Sequence, residues 1–511
     1  PYPVLIKASA GGGGKGMHIV DDASQLHLSL EQAAREAERY FGNGQIFVEQ
    51  YIRNPRHIEV QILADHHGNV IHLYERECSV QRRYQKVIEE SPSPTLTEER
   101  RQTICETAVN LCKKMNYNNA GTVEFIVDEN QNFYFLEMNT RIQVEHPVTE
   151  QRTGIDIVEE QIRIARGKVM GYTQDSIVAN GHAIECRIYA EDPENNFMPV
   201  PAQLTLYHEP KMRGVRIDSS IDGATTISDS YDPMISKLIC HGKDRETAIE
   251  ITRNALRDYI VQTKKTNIPY LQSIINNQDF LENRVDTSYC EKHQDELIDS
   301  MRMMRDEIKK EDVVALFLFY DFNKIYLENK CIDNVWEEIG YWRYNMNIDV
   351  VVSSQQTTYD GQQTLCHVQI DRINRKSLYC VINGQPYEVL LSQNGGGINK
   401  VIINGMTESV FFFVSIDNNY CVHFKGLDFI CCRNDELNDT KDYSNTENKN
   451  NDLTYRSPMP GKVIKVNVKE GDDVNEGDIL CVVEAMKMEN NIKAMTNGKV
   501  AKIFVTENDK V

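Results

Sequence analysis

The alternation of apolar and polar positions changes rhythm along the chain, and each change marks a boundary. From Pro1 to about Cys290, short apolar runs alternate with segments of helical spacing, the pattern of an α/β domain. Val4-Leu5-Ile6 predicts a strand, as do Phe47 to Tyr51 and His57 to Leu63. Ala23 to Tyr40 predicts a helix, and Glu98 to Met115 a long amphipathic one. The rhythm shifts near Glu291. Glu311 to Tyr326 predicts an apolar helix, and the runs that follow are strand-like and separated by turn signals. Asn383-Gly384 and Asn404-Gly405 are the strongest of these, because Asn-Gly favours the type I′ hairpin turn. Tyr341 to Arg433 is therefore expected to be an antiparallel, barrel-like β unit. Asp435 to Asp452 is rich in Asn, Asp, Lys and Thr and almost lacks apolar residues, which predicts a flexible linker.

The last segment is internally duplicated. Gly461 to Val474 reads GKVIKVNVKEGDDV and Gly498 to Val511 reads GKVAKIFVTENDKV, with eight of fourteen positions identical. Two copies of one strand-turn-strand unit predict a small β sandwich with pseudo-twofold symmetry. The segment joining them holds Glu484-Ala485-Met486-Lys487-Met488-Glu489, which puts Lys487 at an expected hairpin tip. A lone lysine there is usually just solvated, but the flanking exposed methionines need a reason. The second repeat stops at the match to Val474, and Pro1 runs directly into a strand. Both ends are thus expected to be cut. The expected divisions are 1–290, 291–434, the linker 435–452, and 453–511.

At 511 residues, three or four domains are expected, at roughly 100–200 residues each. The net charge of −20 disfavours nucleic acid or an anionic membrane as partner. No apolar run approaches the roughly 18 residues of a membrane span. The thirteen cysteines have no metal-site spacing and fit reduced thiols of an intracellular protein. Cys78 and the Cys431-Cys432 pair are accordingly read as buried or strand-end thiols, and Trp336 and Trp342 as packing residues.

Two stretches carry candidate chemistry. Gly11, Gly12, Gly13, Gly14, Lys15 and Gly16 follow a strand, and consecutive glycines let backbone N–H groups approach a polyphosphate. Lys15 is followed by Gly16 rather than Ser or Thr, so this is no Walker A loop. The second stretch is a hairpin, Thr122 to Val127 and Phe133 to Asn139. Centred between Asn130 and Gln131, it sets Glu124 opposite Glu137. Like charges opposed across strands are destabilising without a cation, and two carboxylates with Asn139 make a hard oxygen site suited to Mg²⁺. From Glu137 onward the odd positions Glu137, Asn139, Arg141, Gln143 and Glu145 are polar, which in an extended chain lines them on one face. A planar Arg suits an oxyanion such as bicarbonate, and a Glu can act as general base.

GGGGKGM, PRHIEVQ, RECSVQRR, GTVEF, LEMNTRIQVEHPVTE and ECRIYAEDP together resemble the biotin carboxylase domain, an ATP-grasp fold. AMKM resembles the attachment motif of biotinyl carrier domains; lipoyl domains share the duplicated fold but usually carry Asp-Lys-Ala there. The whole chain looks like the α subunit of a biotin-dependent acyl-CoA carboxylase, with the resemblance faint only in the middle β region. SPMPG, YDPMISKLI and GVRIDS lean toward members acting on propionyl-CoA, and NNFMPV toward those acting on methylcrotonoyl-CoA.

The resemblance implies roles by position. Lys7 and Gly11 to Gly16 would hold ATP phosphates, Glu49 adenine or ribose, and His57, Gln81 and Tyr84 the same nucleotide region. Tyr84 stands where many relatives have His, which puts its ATP contact in doubt. Lys86 would meet bicarbonate or the transferred phosphate. Glu124, Glu137 and Asn139 match metal ligands for Mg²⁺ or Mn²⁺. Arg141, Gln143 and the Val144 backbone match the bicarbonate pocket, Glu145 the base, and Arg187 the arginine that stabilises the biotin enolate. Lys487 would carry covalent biotin. The family's N-terminal lobe is absent, which puts the activity of this stretch by itself in question.

The implied reaction is ATP- and bicarbonate-dependent carboxylation of biotin. The acyl-CoA step would fall to a carboxyltransferase β subunit docked on the middle β unit, with biotin protein ligase loading Lys487. The mitochondrial matrix is expected for a eukaryotic source and the cytoplasm for a bacterial one. Two other readings remain open: a different ATP-grasp ligase with an accessory C-terminal domain, and a non-catalytic carrier or assembly subunit.

Overall fold

The computed structural model describes residues 2–10, 17–228, 232–327, 346–354, 364–393, 398–414, 420–434, 462–475, 477–485, 488–494, 496–507 and 509. Gly11 to Gly16, the linker 435–452, Trp336, Trp342 and Lys487 lie outside the described residues.

The chain opens with a small antiparallel sheet of β1 (Val4–Ala8), β2 (His18–Val20) and β3 (Ile46–Gln50), in the order β2-β1-β3. α1 (Ala23–Phe41) connects β2 to β3. Asp22 caps its first turn by accepting from Ser24 N at 2.8 Å, and Gly42 ends it at φ 67°, as helix termini demand.

An eight-stranded sheet follows, built from β4 (Arg56–Ala64), β5 (Val70–Arg82), β6 (Gln85–Ser91), β7 (Asn119–Val127), β8 (Phe133–Asn139), β9 (His182–Tyr189), β10 (Val215–Ser219) and β11 (Met234–Gly242). Its order is β10-β11-β9-β6-β5-β4-β7-β8. β4 shows why it can hold chemistry. Ile58, Val60 and Ile62 pack beneath α2 (Glu98–Lys114) against Ile104, Cys105 and Ala108. His57, Glu59 and Gln61, on the alternate face, are also buried. A strand that buries polar groups on one face must pair them there, and this face is the floor of the candidate site.

The β7–β8 hairpin corrects the expected register. Near the turn the pairs are Phe125↔Phe135, Ile126↔Tyr134 and Val127↔Phe133, so the turn is centred on Asn130. The Asp128 carboxylate accepts from the backbone N–H of Asn130 and Asn132, which fixes this turn. One extra residue on β8, Leu136, then shifts the register and sets Glu124 opposite Glu137 after all. A bulge, not a symmetric turn, opposes the two acids.

The middle unit is a closed barrel of eight antiparallel strands from Met346–Ser354 to Leu427–Asn434, with first and last strands paired. Its Asn-Gly turns have positive φ at both central residues (Asn383 49°, Gly384 83°; Asn404 48°, Gly405 83°), as type I′ requires. Helix Lys310–Leu327 packs against the barrel strands, and its run Val313 to Phe319 has no exposed surface. A helix apolar on all sides must be enclosed.

In the C-terminal segment, Val463 N donates to Asp509 O and Val500 N to Asp472 O, each at 2.9 Å. These bonds exchange under a shift of the repeat, so the pseudo-twofold relation is physical. Ala485 pairs with Met488, the described residues that flank Met486 and Lys487.

Candidate active site

Three acids lie in register across adjacent strands. Glu59 on β4 is opposite Glu124 on β7, and Glu124 is opposite Glu137 on β8. Glu59 is fully buried, Glu124 nearly so and Glu137 exposed, so the row runs from the sheet interior to its edge. Cations close the buried end. Arg76, without exposed surface, donates from Nε to Glu59 Oε1 at 2.5 Å; its remaining nitrogens reach Gln61, Thr149, Thr122 and Gln143. Lys86 Nζ lies 2.6 Å from Glu59 Oε2, 3.3 Å from Glu124 Oε1 and 2.5 Å from Glu145 Oε1.

The other Glu145 oxygen accepts from Arg187 at 2.9 Å, and Arg187 Nε donates to Glu89 Oε1 at 2.6 Å. A continuous chain of alternating charge thus links β4, β6, β9 and the start of α3 (His146–Thr153). Burial alone raises the Glu59 carboxyl, but Arg76 and Lys86 outweigh it and hold it at about 2. Burial likewise opposes the charge of Glu124, yet the His57 hydrogen bond, its charge and Lys86 keep this carboxyl well below the ordinary range. Lys86 loses hydration by burial and regains more from Glu59, so its ammonium stays charged well past its usual range.

The expected extended face over Glu137 to Glu145 is not what the chain adopts. β8 ends at Asn139, the chain bends, and Glu145 sits at the N-cap of α3. Pro147 at the first turn favours this helix start, and the His146 ring bonds the Gln143 carbonyl at 2.7 Å. The bend still gathers Asn139, Gln143 and Glu145. Gln143 donates to Glu124 Oε1 at 2.6 Å and Asn139 at 2.9 Å. Arg141 is exposed and bonds the Ile142 carbonyl. The Val144 carbonyl accepts from Lys237 at 2.9 Å.

A divalent cation fits between Glu124 and Glu137. Asn139 Nδ2 now bridges the two carboxylates, at 2.9 Å and 3.4 Å, so a positive dipole already stands where opposed charges call for one. Carboxylates plus an amide oxygen are hard donors of the kind Mg²⁺ takes. His57, expected beside the nucleotide, lies 2.9 Å from Glu124 Oε2. Gln81 is buried opposite Lys86. Tyr84 is 65% exposed, and both it and Arg83 have positive φ in the turn between β5 and β6. Lys7 pairs with Glu49 at 2.6 Å on the small sheet.

Three protein families match successive stretches: carbamoyl-phosphate synthase L chain, ATP binding domain, over 1–172; biotin carboxylase C-terminal domain, over 185–292; and biotin-requiring enzyme, over 454–511. The mitochondrial propionyl-CoA carboxylase alpha chain of Sus scrofa is 39% identical over 528 residues, spanning 100% of this chain and 70% of that protein. This chain belongs to the α subunits of biotin-dependent carboxylases. The mitochondrial methylcrotonoyl-CoA carboxylase subunit alpha of Rattus norvegicus is 36% identical to this α subunit over 513 residues, 99% of this chain and 70% of that one. Among solved structures, the biotin carboxylase domain of Hydrogenobacter thermophilus 2-oxoglutarate carboxylase, determined with MgADP, ADP and bicarbonate, aligns at TM-score 0.55 and 47% identity. That alignment spans 57% of the α subunit and 65% of the solved chain.

Sequence reasoning passed over Glu59, Arg76, Glu89 and Lys237 of this α subunit. Glu59 had a usable signal, since His57, Glu59 and Gln61 alternate with apolar residues just as the odd positions after Glu137 do. The others become visible only once the sheet order is known, because their partners come from distant strands.

Proposed function

We propose that this α subunit carboxylates biotin carried on Lys487, using ATP and bicarbonate, and serves an acyl-CoA carboxylase acting on propionyl-CoA. The observation that carries the reading is Lys86 held by Glu59, Glu124 and Glu145, with Arg187 on the other oxygen of Glu145. Phosphate oxygens entering the site draw Lys86 toward them and leave an oxygen of Glu145 free to take the proton of bicarbonate. Bicarbonate oxygen then attacks the γ-phosphorus, ADP leaves, and Lys86 meets the charge that develops on the transferred group. Glu124, Glu137 and Asn139 would hold a divalent cation, which would supply charge stabilisation for the phosphates. Carboxyphosphate breaks down to CO₂ and phosphate beside Arg187, whose guanidinium receives the carbonyl end of biotin. The released phosphate takes the ureido N–H proton of biotin while Arg187 steadies the resulting enolate, and the freed nitrogen attacks CO₂ to give carboxybiotin.

Lys7 and Gly11 to Gly16 are assigned to the ATP phosphates, Glu49, His57, Gln81 and Tyr84 to the rest of the nucleotide, and Arg141, Gln143 and the Val144 backbone to bicarbonate. A carboxyltransferase β subunit completes the acyl-CoA step, biotin protein ligase loads Lys487, and in a eukaryotic source the complex works in the mitochondrial matrix. The porcine and rat relatives, both mitochondrial carboxylase α subunits, support these assignments. The test is the mass of the Lys487 peptide from native protein, followed by an acyl-CoA assay on the streptavidin-captured complex. A biotin adduct and incorporation of labelled bicarbonate into propionyl-CoA are expected. An unmodified or lipoylated Lys487 overturns the reading, and exclusive turnover of methylcrotonoyl-CoA overturns the substrate.

A further inference from the structure

Behind Arg187 stands a second pair of facing acids that the reaction above does not use. Glu89 on β6 is directly opposite Glu185 on β9, and neither has exposed surface. Opposed residues on paired strands share a face, with Cβ atoms about 5 Å apart. Arg187, two residues further along β9, shares that face and bonds Glu89 Oε1. Glu89 Oε2 and both oxygens of Glu185 have no hydrogen-bond partner.

Three buried, unbonded carboxylate oxygens in one place are strongly unfavourable if both acids are ionised, because each charge has lost its water without gaining a full set of partners. A proton on Glu185 makes one of its oxygens a donor for Glu89 Oε2 and removes two orphans together. The nearby cations other than Arg187 are bonded elsewhere. Lys86 from β6 is bonded to Glu59, Glu124 and Glu145, and Arg76 from β5 to Glu59. Lys237 from β11 pairs with Asp218 of β10 at 3.2 Å and reaches the Val144 carbonyl. α3 contributes Glu145, already on Arg187, and His146, whose ring is bonded to Gln143. Cys78 of β5 is a buried thiol. Helix Arg245–Asp258 covers the opposite face of β9, against Ile184, Cys186 and Ile188. Arg187 makes the direct hydrogen bond to the acid pair and is shared with Glu145, while Lys237 and Lys86 act on the pair only through space. Burial and the neighbouring Glu89 raise the Glu185 carboxyl well above its ordinary range. Burial, opposed by Arg187, lifts Glu89 to about 7. Such values belong to the pair rather than to either acid.

We infer that Glu89 and Glu185 share one proton, and that this singly charged pair positions Arg187 for the biotin half-reaction. The inference rests on the role proposed for Arg187 above. With the proton in place, one negative charge faces one edge of the guanidinium and leaves the other edge for the site. Without it, a second charge draws Arg187 into the sheet.

The test is infrared spectroscopy of the full chain at neutral pH, which should show the carbonyl stretch of an un-ionised carboxylic acid that is missing in Glu185→Gln. That variant mimics the protonated acid, so it should fold and melt no lower than wild type. Free-biotin carboxylation by Glu185→Gln should have its alkaline limb displaced upward by about one pH unit, and Glu89→Gln should lower kcat about tenfold. Loss of no infrared band in Glu185→Gln, an unfolded Glu185→Gln, or an unmoved alkaline limb each overturns the inference. A wild-type chain with the band but no biotin carboxylation overturns the functional reading instead, and leaves the shared proton in place.

Discussion

Glu59 and Glu124 face each other across β4 and β7, and the Lys86 ammonium lies within 3.3 Å of both. Two opposed carboxylates at the floor of a site are tolerable only while that ammonium is there. Lys86→Met keeps the length of the side chain and removes the charge, leaving Glu59, Glu124 and Glu145 short of a partner. Breaking one side of a buried pair typically costs about 3 kcal/mol or more. A lower melting temperature is expected, together with loss of bicarbonate-dependent ATP cleavage by at least about a hundredfold. A variant with wild-type turnover would remove Lys86 from the mechanism.

Acid should unfold the carboxylase sheet through two carboxylates. Burial opposes both charges, but Arg76 and Lys86 hold Glu59 at about 2, and Arg245 with His182 holds Glu90 at about 2, against an ordinary 4.5. A folded-state value below the unfolded one means stability that is present above 4.5 and is lost as pH falls toward 2. Melting temperatures measured down this range should fall steeply in the wild type. Glu90→Gln should start lower at neutral pH and fall less. Parallel curves would show that Glu90 contributes nothing to the acid transition.

Much of this was legible in the letters, for identifiable physical reasons. Helix Glu98–Lys114 and strand Phe133–Asn139 follow from period and caps, which are local. The Glu124–Glu137 opposition was foreseen from a symmetric turn, yet it arises from a turn centred elsewhere plus a bulge at Leu136. Two half-register errors cancelled. Alternating polarity over Glu137 to Glu145 found the right residues with the wrong backbone, because convergence on Glu124 is made by a bend. Arg76 and Glu89 were illegible because β5, β6 and β9 meet through a strand order no local pattern encodes. The turn at Lys425-Gly426, with φ of 52° and 81°, was missed because Lys seldom takes that conformation.

Gly405 and Gly426 offer a controlled comparison at nearly equal φ, 83° and 81°. A Cβ at Gly405 meets nothing within 4 Å, so Gly405→Ala carries only the backbone cost of about 1 kcal/mol. A Cβ at Gly426 would overlap the amide of Gln272, which is buried and donates to the Leu256 carbonyl. Gly426→Ala is therefore expected to destabilise the chain clearly more than Gly405→Ala in denaturant unfolding. Equal losses would mean that the contact between the barrel turn and helix Ile268–Asn276 yields freely.

The duplicated domain should respond alike at equivalent positions. Asp472 Oδ2 accepts from Lys469 N at 2.8 Å, and Asp509 Oδ2 from Thr506 N at 2.6 Å. Each carboxylate secures the turn of its own repeat. Asp472→Ala and Asp509→Ala should each lower the stability of the C-terminal domain by about 1 kcal/mol. A large effect from one and none from the other would show that the repeats have diverged in their turns.

His423 joins the barrel to the carboxylase lobe. It is buried, its Nδ1 lies 2.6 Å from Asp428 Oδ1, and its Nε2 is 2.8 Å from the Arg257 carbonyl. A neutral ring can donate from only one nitrogen, whereas the imidazolium donates from both and so satisfies both acceptors. Burial disfavours that charge, but the Asp428 hydrogen bond and charge outweigh it and raise the ring above its ordinary 6.5. The stabilisation is therefore complete below 6.5 and is lost as pH climbs through the raised folded-state value. Nearby, Arg257 pairs with Glu408 at 3.1 Å, and Ile260, Phe413 and Cys421 form a small apolar cluster between lobe and barrel. Loss of the His423 charge should loosen this junction first. Calorimetry is expected to show the barrel transition moving down in temperature as pH rises above 6.5 in the wild type. In His423→Gln, which cannot titrate, the same transition should start lower and stay flat. A wild-type transition independent of pH would mean that folding does not change the proton affinity of the His423 ring.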